Sequence, residues 1–467
     1  MLEKVETTNA LVKSLLTLEN PWNSIEDVIA WVVRRNQEVK VQVEQVPFRE
    51  LTGWHFDDQT GNLCHNSGKF FSIVGVDVYA NNGRSQRWRQ PIINQPEVGY
   101  LGIICREVDG VLYFLLQAKI EPGNVNCVQL SPTLQATRSN YTQVHGGKKP
   151  AYLDYFRKAT TEQILLDQLQ SEQGARFLRK RNRNIIIKVD GEIETNEDFR
   201  WLTLGQIRRL MRYDNLVNMD TRTVLSGLSF GVVPFALRTR VSEWGLALFD
   251  SEARKEGVNT IDQVLHRMSA LKSQYELITE KIPLSSVTDW QIGEREISRV
   301  DGRFFRVLGV RVTIANREVA SWCQPLVQPM QEGLCVLFAK KIGGVLHVLV
   351  QAKVECGNFD VVELAPTIQC LTGSYRNPEG YTPQFLETFL SGECVARTIF
   401  DTKQSEEGGR FYHEQNRNVV ALVNETIPDE PPENFLWLTL GQVKEFLRFN
   451  NYLNIQMRSL VAALEYC

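Results

Sequence analysis

The sequence predicts an α+β protein built from two tandem copies of one domain, each a mixed or antiparallel sheet flanked by helices. Three observations predict this: a long internal repeat, apolar spacing that switches between helical and strand periods, and hairpin turns at matching places in both halves. The repeat is direct. Lys69-Phe70-Phe71-Ser72-Ile73-Val74-Gly75 returns as Arg303-Phe304-Phe305-Arg306-Val307-Leu308-Gly309, an offset of 234 residues. The same offset joins Gln90-Pro91 to Gln324-Pro325, Gln117-Ala118-Lys119 to Gln351-Ala352-Lys353, and Gln170-Ser171-Glu172 to Gln404-Ser405-Glu406. At 236 the register runs on through Trp201-Leu202-Thr203-Leu204-Gly205-Gln206 and Trp437-Leu438-Thr439-Leu440-Gly441-Gln442. The copies are placed at 1–235 and 236–467, the second led by a connector.

Each copy is expected to open with a helix. Ser24 and Asp27 have capping-box spacing ahead of Ile25, Val28, Ile29 and Val32, and Thr260 with Gln263 repeats it ahead of Ile261, Val264, Leu265 and Met268. A strand follows. Next come two strands, 100–108 and 111–121, around Asp109-Gly110, matched by 334–342 and 345–355 around Gly343-Gly344; these dipeptides tolerate the positive φ of hairpin turns. A closing helix carries Leu204, Ile207, Leu210 and Met211, or Leu440, Val443, Phe446 and Leu447. Residues 228–259, with Phe230, Phe235 and Trp244, read as a connector apolar enough to pack.

A chain of 467 residues exceeds one ordinary core, and 43% apolar with 23% charged residues is globular composition. A net charge of −3 gives no basic field, so nucleic acid is disfavoured as a main partner. Nine scattered cysteines without a Cys-x-x-Cys pair suggest free thiols in a reducing compartment. No secretory signal is read at the start, and no apolar stretch nears the ~20 residues that span a bilayer. A cytoplasmic protein is expected. Gly-x-Gly-x-x-Gly, Walker and His-Glu-x-x-His motifs are missing, which leaves nucleotide redox cofactors, phosphoryl transfer and zinc proteolysis unsupported.

Strand alternation puts Gln117, Lys119 and Glu121 on one face, as it does Gln351, Lys353 and Glu355; the face lines either solvent or a pocket. The turns that follow return Asn124, Gln129, Ser131, Thr133 and Gln135 toward the strand end. The second copy keeps Asn358, Thr367 and Gln369, with Cys356 for Pro122, Glu363 for Gln129 and Ala365 for Ser131. Neutral hydrogen-bonding side chains suit a ligand rich in hydroxyls and imides. Glu172 with Arg176, and Glu406 with Arg410, flank a glycine turn; each arginine either holds a diphosphate or bridges the nearby glutamate. Arg179-Lys180-Arg181 reads as a solvated face, because the other copy has His413-Glu414-Gln415 there. His145 lies in a Gly-flanked loop of the first copy only, as surface or as a general acid or base. Asn140 and Tyr141 precede it, and Tyr375 is the counterpart of Tyr141. Trp54, Trp88, Trp290 and Trp322 are core, pocket wall or base-stacking surfaces.

Trp88-x-Gln90-Pro91 and its copy, Gln-Ala-Lys-x-Glu-Pro-Gly-Asn (117–124), Ser-Pro-Thr-x-Gln-Ala-Thr-x-Ser-Asn-Tyr (131–141), His145-Gly-Gly and the two Gln-Ser-Glu-x-Gly-x-Arg-Phe segments together resemble the NDP-hexose 2,3-dehydratase family over nearly the whole chain. That resemblance implies two fused Nudix-like folds and a homodimer. The Nudix box is missing from both halves, so no metal is implied. It further implies a dTDP-4-keto-6-deoxyglucose-type substrate that loses water across C2 and C3, and a 3,4-diketo-2,6-dideoxy product passed to a 3-ketoreductase. No redox cofactor is required. On this reading His145 or Glu121 transfers the proton, and Lys119, Asn124 or Tyr141 donates to the ketone oxygen. Arg176 holds the diphosphate, and the first copy holds the working site. Trp88, Gln90, Gln117, Gln129, Ser131, Thr133, Gln135, Asn140 and Glu172 complete its substrate contacts. Lys353, Glu355, Asn358, Thr367, Gln369, Tyr375 and Arg410 form a second pocket. Two rivals remain: a non-catalytic nucleotide-sugar-binding protein, and a Nudix-like diphosphate hydrolase, against which the missing box argues.

Overall fold

A computed structural model describes residues 2–141, 149–239, 241–314, 321–371 and 382–467. Each half contains one mixed seven-stranded sheet and contributes to a five-stranded antiparallel one. In the first half the large sheet runs Ile164–Ser171, Arg181–Lys188, Gly99–Val108, Val111–Ile120, Phe199–Thr203, with Val128–Ser131 and Leu134–Ala136 attached. Arg181–Lys188 lies parallel to Gly99–Val108, and the remaining pairs are antiparallel. The second half repeats the order with Val395–Ser405, Gln415–Val423, Gly333–Ile342, Val345–Lys353 and Phe435–Leu438.

Local chemistry forms these elements as the sequence predicts. Both capping boxes are made, at Ser24 with Asp27 and at Thr260 with Gln263, starting helices Ile25–Glu38 and Ile261–Gln274. Both two-residue turns use positive φ, at Asp109 and Gly110 and at Gly343 and Gly344. The hairpins close with Val108 opposite Val111 and Ile342 opposite Val345.

The small sheets exchange strands. Val41–Gln45 leaves the first half and pairs antiparallel with Phe305–Ile314 of the second, with Val43 opposite Val312. Reciprocally, Glu276–Ile282 pairs with Ser72–Asn81 of the first half, with Thr279 opposite Val78. Val41 and Val43 thereby pack on the buried Val310 and Val312. One continuous apolar core also joins the halves, from Leu11 and Leu15 through Leu204 and Leu225 to Leu440 and Leu460.

The stretch read as a connector contains helix Glu243–Glu252, the counterpart of the N-terminal helix Leu2–Leu16. Ser251 Oγ donates to Leu346 O and accepts from the Leu440 amide at 2.9 Å; Ser14 Oγ does the same with Leu112 O and Leu204, also at 2.9 Å. Phe230 and Phe249 are buried, whereas Phe235 is 82% exposed, so only part of the segment packs.

Candidate active site

Two polar cavities lie at equivalent places, and each is built from both halves. The larger, about 560 Å³, opens where the large first-half sheet ends against the exchanged small sheets. Lys119 near the end of strand Val111–Ile120, the adjoining Glu121, and Gln135 on Leu134–Ala136 form one wall. Glu172, Lys180 and Asn182 form a second, around the turn between Ile164–Ser171 and Arg181–Lys188. Asp220 enters from the first turn of helix Met219–Ser226. The second half supplies Trp322 and Gln324 from strand Ser321–Pro329, and Glu407 and Arg410 from its glycine turn. Trp54, Phe70 and Phe71 make an aromatic side.

Hydrogen bonds order this wall. Glu121 Oε1 accepts from Lys119 Nζ at 2.9 Å and from Gln135 Nε2 at 2.6 Å, while its buried Oε2 has no partner among the described residues. Asn218, the N-cap of the helix bearing Asp220, donates to Ser131 Oγ at 2.8 Å and to Gln135 Oε1 at 3.3 Å. Asn182 Nδ2 donates to Glu172 Oε1. Arg410 stacks 4.1 Å over Phe71 and donates from Nε to Gln95 Oε1 at 3.1 Å.

Burial sets the charge balance. It raises the carboxyl of Glu172, against the opposing pull of Lys180 and Arg458. It lowers the ammonium of Lys180. Glu407 is pushed up to about 7, first by burial and then by the nearby Glu121 carboxylate. Asp220 rises well above the ordinary aspartate value through burial, with Glu172, Glu407 and Glu121 adding repulsion. Closely spaced carboxyls in a dry wall cannot all stay ionised, so the cavity holds exchangeable protons at neutral pH.

The second cavity has about 90 Å³. Lys353, Glu355 and Gln369 mirror Lys119, Glu121 and Gln135 there. Gln369 Nε2 donates to Glu355 Oε1 at 3.0 Å, and Lys353 Nζ to Gln369 O at 3.1 Å. Burial raises the Glu355 carboxyl. At three positions the chemistry changes: Gln456 replaces Asp220, Gln173 replaces Glu407, and Glu414 replaces Lys180.

Several residues read together from the sequence are separated. Of Lys119, Asn124, Thr133 and Arg176, Lys119 alone lines the large cavity. Arg176 lines the small one, 4.3 Å over Phe305, and Arg410 takes the corresponding place in the large one. Each glycine turn crosses to the other half's pocket, where the Gly357 amide donates to Gly174 O and the Gly123 amide to Gly408 O, both at 2.7 Å. Thr133 is spent on the sheet, donating to Leu115 O and accepting from the Ile104 amide; Thr367 does the same with Leu349 O and Phe338. Gln129 and Ser131 are fully buried in contacts with Ser405 and Asn218. Asn124 packs on Gly408 with Nδ2 donating to Cys127 O, and Asn358 packs likewise on Gly174. Gln117 sits in the sheet between Ser131 and Phe199. Trp88 Nε1 donates to Gln90 Oε1, whose amide reaches Ala175 O at 3.2 Å, outside the large cavity's lining. Trp290 donates to Arg89 O and is likewise outside it. Tyr141 also lies apart, its hydroxyl 3.4 Å from Val98 O and its ring edge-on to Tyr100. Asn140 falls in the short helix Arg138–Tyr141, while His145 and Tyr375 lie outside the described residues.

Lys180, read as part of a solvated charge run, is 5% exposed and lines the cavity, whereas Arg179 beside it is exposed and Arg181 half-buried. Asp220 and Glu407 were not singled out by the sequence. A comparison of the copies for changes of charge, Asp220 with Gln456 and Glu407 with Gln173, would have found them.

A family model described as NDP-hexose 2,3-dehydratase matches residues 25–228 and again 261–464. The chain belongs to the NDP-hexose 2,3-dehydratase family. The chain is 44% identical, over 98% of its length and 94% of the relative, to a dTDP-4-dehydro-6-deoxy-alpha-D-glucopyranose 2,3-dehydratase from Saccharopolyspora spinosa. A protein of the same name from Amycolatopsis orientalis is 42% identical over 94% of this chain and 90% of its own. One from Streptomyces violaceoruber is 40% identical over 93% and 96%. A 2,3-dehydratase must ionise a carbon next to a carbonyl and release a hydroxyl as water, which calls for proton donors and acceptors side by side. Both of the family's matched regions contribute walls to the large cavity, and among the described residues no helix is long and apolar enough to cross a membrane.

Proposed function

We propose that this 2,3-dehydratase works in the large cavity, on a dTDP-4-keto-6-deoxyhexose, as part of deoxysugar biosynthesis. The observation that carries the choice of cavity is the contrast between the two: about 560 Å³ against about 90 Å³, with acidic Asp220 and Glu407 in the first where the second has glutamines. The larger volume falls within the roughly 300–1,000 Å³ of small-molecule sites.

The C3 proton is acidic because it lies α to the C4 ketone. Glu121, with a buried unpartnered Oε2, removes it, and Lys119 donates to the ketone oxygen as negative charge builds there. His145 stays open as a second proton-transfer group; unchanged turnover in His145→Ala would remove it. Arg410 and Lys180 supply positive charge for the diphosphate, and Trp54, Phe71 and Trp322 an aromatic wall for the base. The 3,4-diketo product passes to a 3-ketoreductase. All nine cysteines are unpaired, which supports a reducing cytoplasm as the setting, and the exposed Val232 and Phe235 offer apolar surface to a homodimer.

Incubation with dTDP-4-keto-6-deoxyglucose and a trapping reductase, followed by mass analysis, tests the activity through loss of water. A binding protein without catalysis would give neither water loss nor exchange of the C3 proton in deuterated water.

A further inference from the structure

Asp220 holds an unusual place among the acids of the large cavity. Glu121 is paired with Lys119, and Glu172 accepts from Asn182. Glu407 accepts from the Gly409 amide at 3.1 Å. Asp220 is 2% exposed and lines the cavity, yet its Oδ1 has no hydrogen-bond partner and no salt bridge reaches the group among the described residues. An unpaired buried carboxylate is far costlier than a neutral carboxylic acid, so the geometry favours the protonated form. The helix that carries it is fixed by Asn218, which also holds Gln135, the side chain that donates to Glu121. Asp220 is thereby set in one hydrogen-bonded frame with the group that takes the C3 proton.

We propose that Asp220 is a further catalytic residue, the acid that protonates the departing C2 hydroxyl; this rests on the reading that dehydration runs in the large cavity. The step balances. The C3–H electron pair becomes the C2=C3 bond, and the C2–O pair leaves with the oxygen, which takes the Asp220 proton and departs as water. When the resulting enol becomes the C3 ketone, the Asp220 carboxylate recovers a proton from O3–H, and C2 gains the proton first taken from C3. Both side chains end as they began. Gln456, at the equivalent place in the small cavity, has no acidic proton to give.

The test compares two leaving groups, because fluoride departs without protonation and water does not. Asp220→Asn keeps the shape and neutrality of the protonated acid but cannot donate its proton in the same way. It is assayed on dTDP-4-keto-6-deoxyglucose for water loss and on its 2-fluoro analogue for fluoride release, beside the wild type. Water loss is expected to fall about 100-fold or more, the lower end of general-acid contributions, with fluoride release falling at least tenfold less. Equal falls, a difference under tenfold, or wild-type water loss overturns the assignment. Should Asp220→Asn not fold, Asp220→Ser is read by the same ratio. Lys119→Ala separates the two readings: if it retains both activities, the cavity itself is wrong. If it loses both while Asp220→Asn fails the ratio, only the role of Asp220 falls.

Discussion

Ser405 Oγ donates to Gln129 Oε1 at 2.7 Å across the two halves, and its counterpart Ser171 donates to Glu363 Oε2 at 2.8 Å. The bonds are equivalent but the acceptors differ, an amide in one and a carboxyl in the other. Each fixes the strand end that precedes a glycine turn, so each sets where Glu407 and Arg410, or Gln173 and Arg176, arrive.

That difference predicts a pH effect. Burial pushes Glu363 up to about 7, above its value in an unfolded chain. The folded state therefore binds more protons than the unfolded state between roughly pH 4.5 and 7, and this group's contribution falls as pH rises through that window. Glu363→Gln, which copies Gln129, should stabilise the protein at pH 8 by on the order of 1–3 kcal/mol and have little effect at pH 5. Denaturation midpoints at the two pH values check it; an equal shift at both would contradict the assigned cause.

A close backbone approach explains Glu-Pro-Gly-Asn. A Cβ on Gly123 would lie 1.7 Å from Phe411 O, and one on Gly357 1.8 Å from Phe177 O. The Gly123 amide donates to Gly408 O at 2.7 Å, and the His413 amide to Gly123 O at 2.7 Å. Since these partners are backbone, Gly123→Ala should cost more than the ~3 kcal/mol upper range of ordinary overpacking. A chemical denaturation midpoint within 1 kcal/mol of wild type, an estimate on the scale of a mild substitution, would show that the halves part more easily than the packing implies.

The paired lysines report on which cavity reacts. Lys119→Ala should lower kcat about 100-fold or more, as loss of one oxyanion donor does, while Lys353→Ala should stay within about threefold. Turnover of dTDP-4-keto-6-deoxyglucose by both variants decides it. The reverse pattern would move the reaction to the small cavity.

Repeats, caps and hairpins were legible because they depend on short-range chemistry: Ser24 with Asp27, Asp109 with Gly110, and the matching runs around Phe70 and Phe304. The strand exchange was not. Val41–Gln45 and Glu276–Ile282 alternate in either partnership, and nothing in that alternation says which sheet edge receives them. Arg176 was misgrouped because the chain passes between cavities in the few residues after Glu172. Neutral polar residues misled differently. Thr133 and Ser131 look free in sequence, but the sheet and the Asn218 cap consume their hydrogen bonds.

The central claim is that the second half completes the first half's cavity, and the paired arginines test it most directly. The kcat/KM of Arg410→Ala should fall about 10- to 100-fold, the scale of a lost charge-assisted hydrogen bond, with that of Arg176→Ala near wild type and both proteins folded. A fall confined to Arg176→Ala would contradict the account.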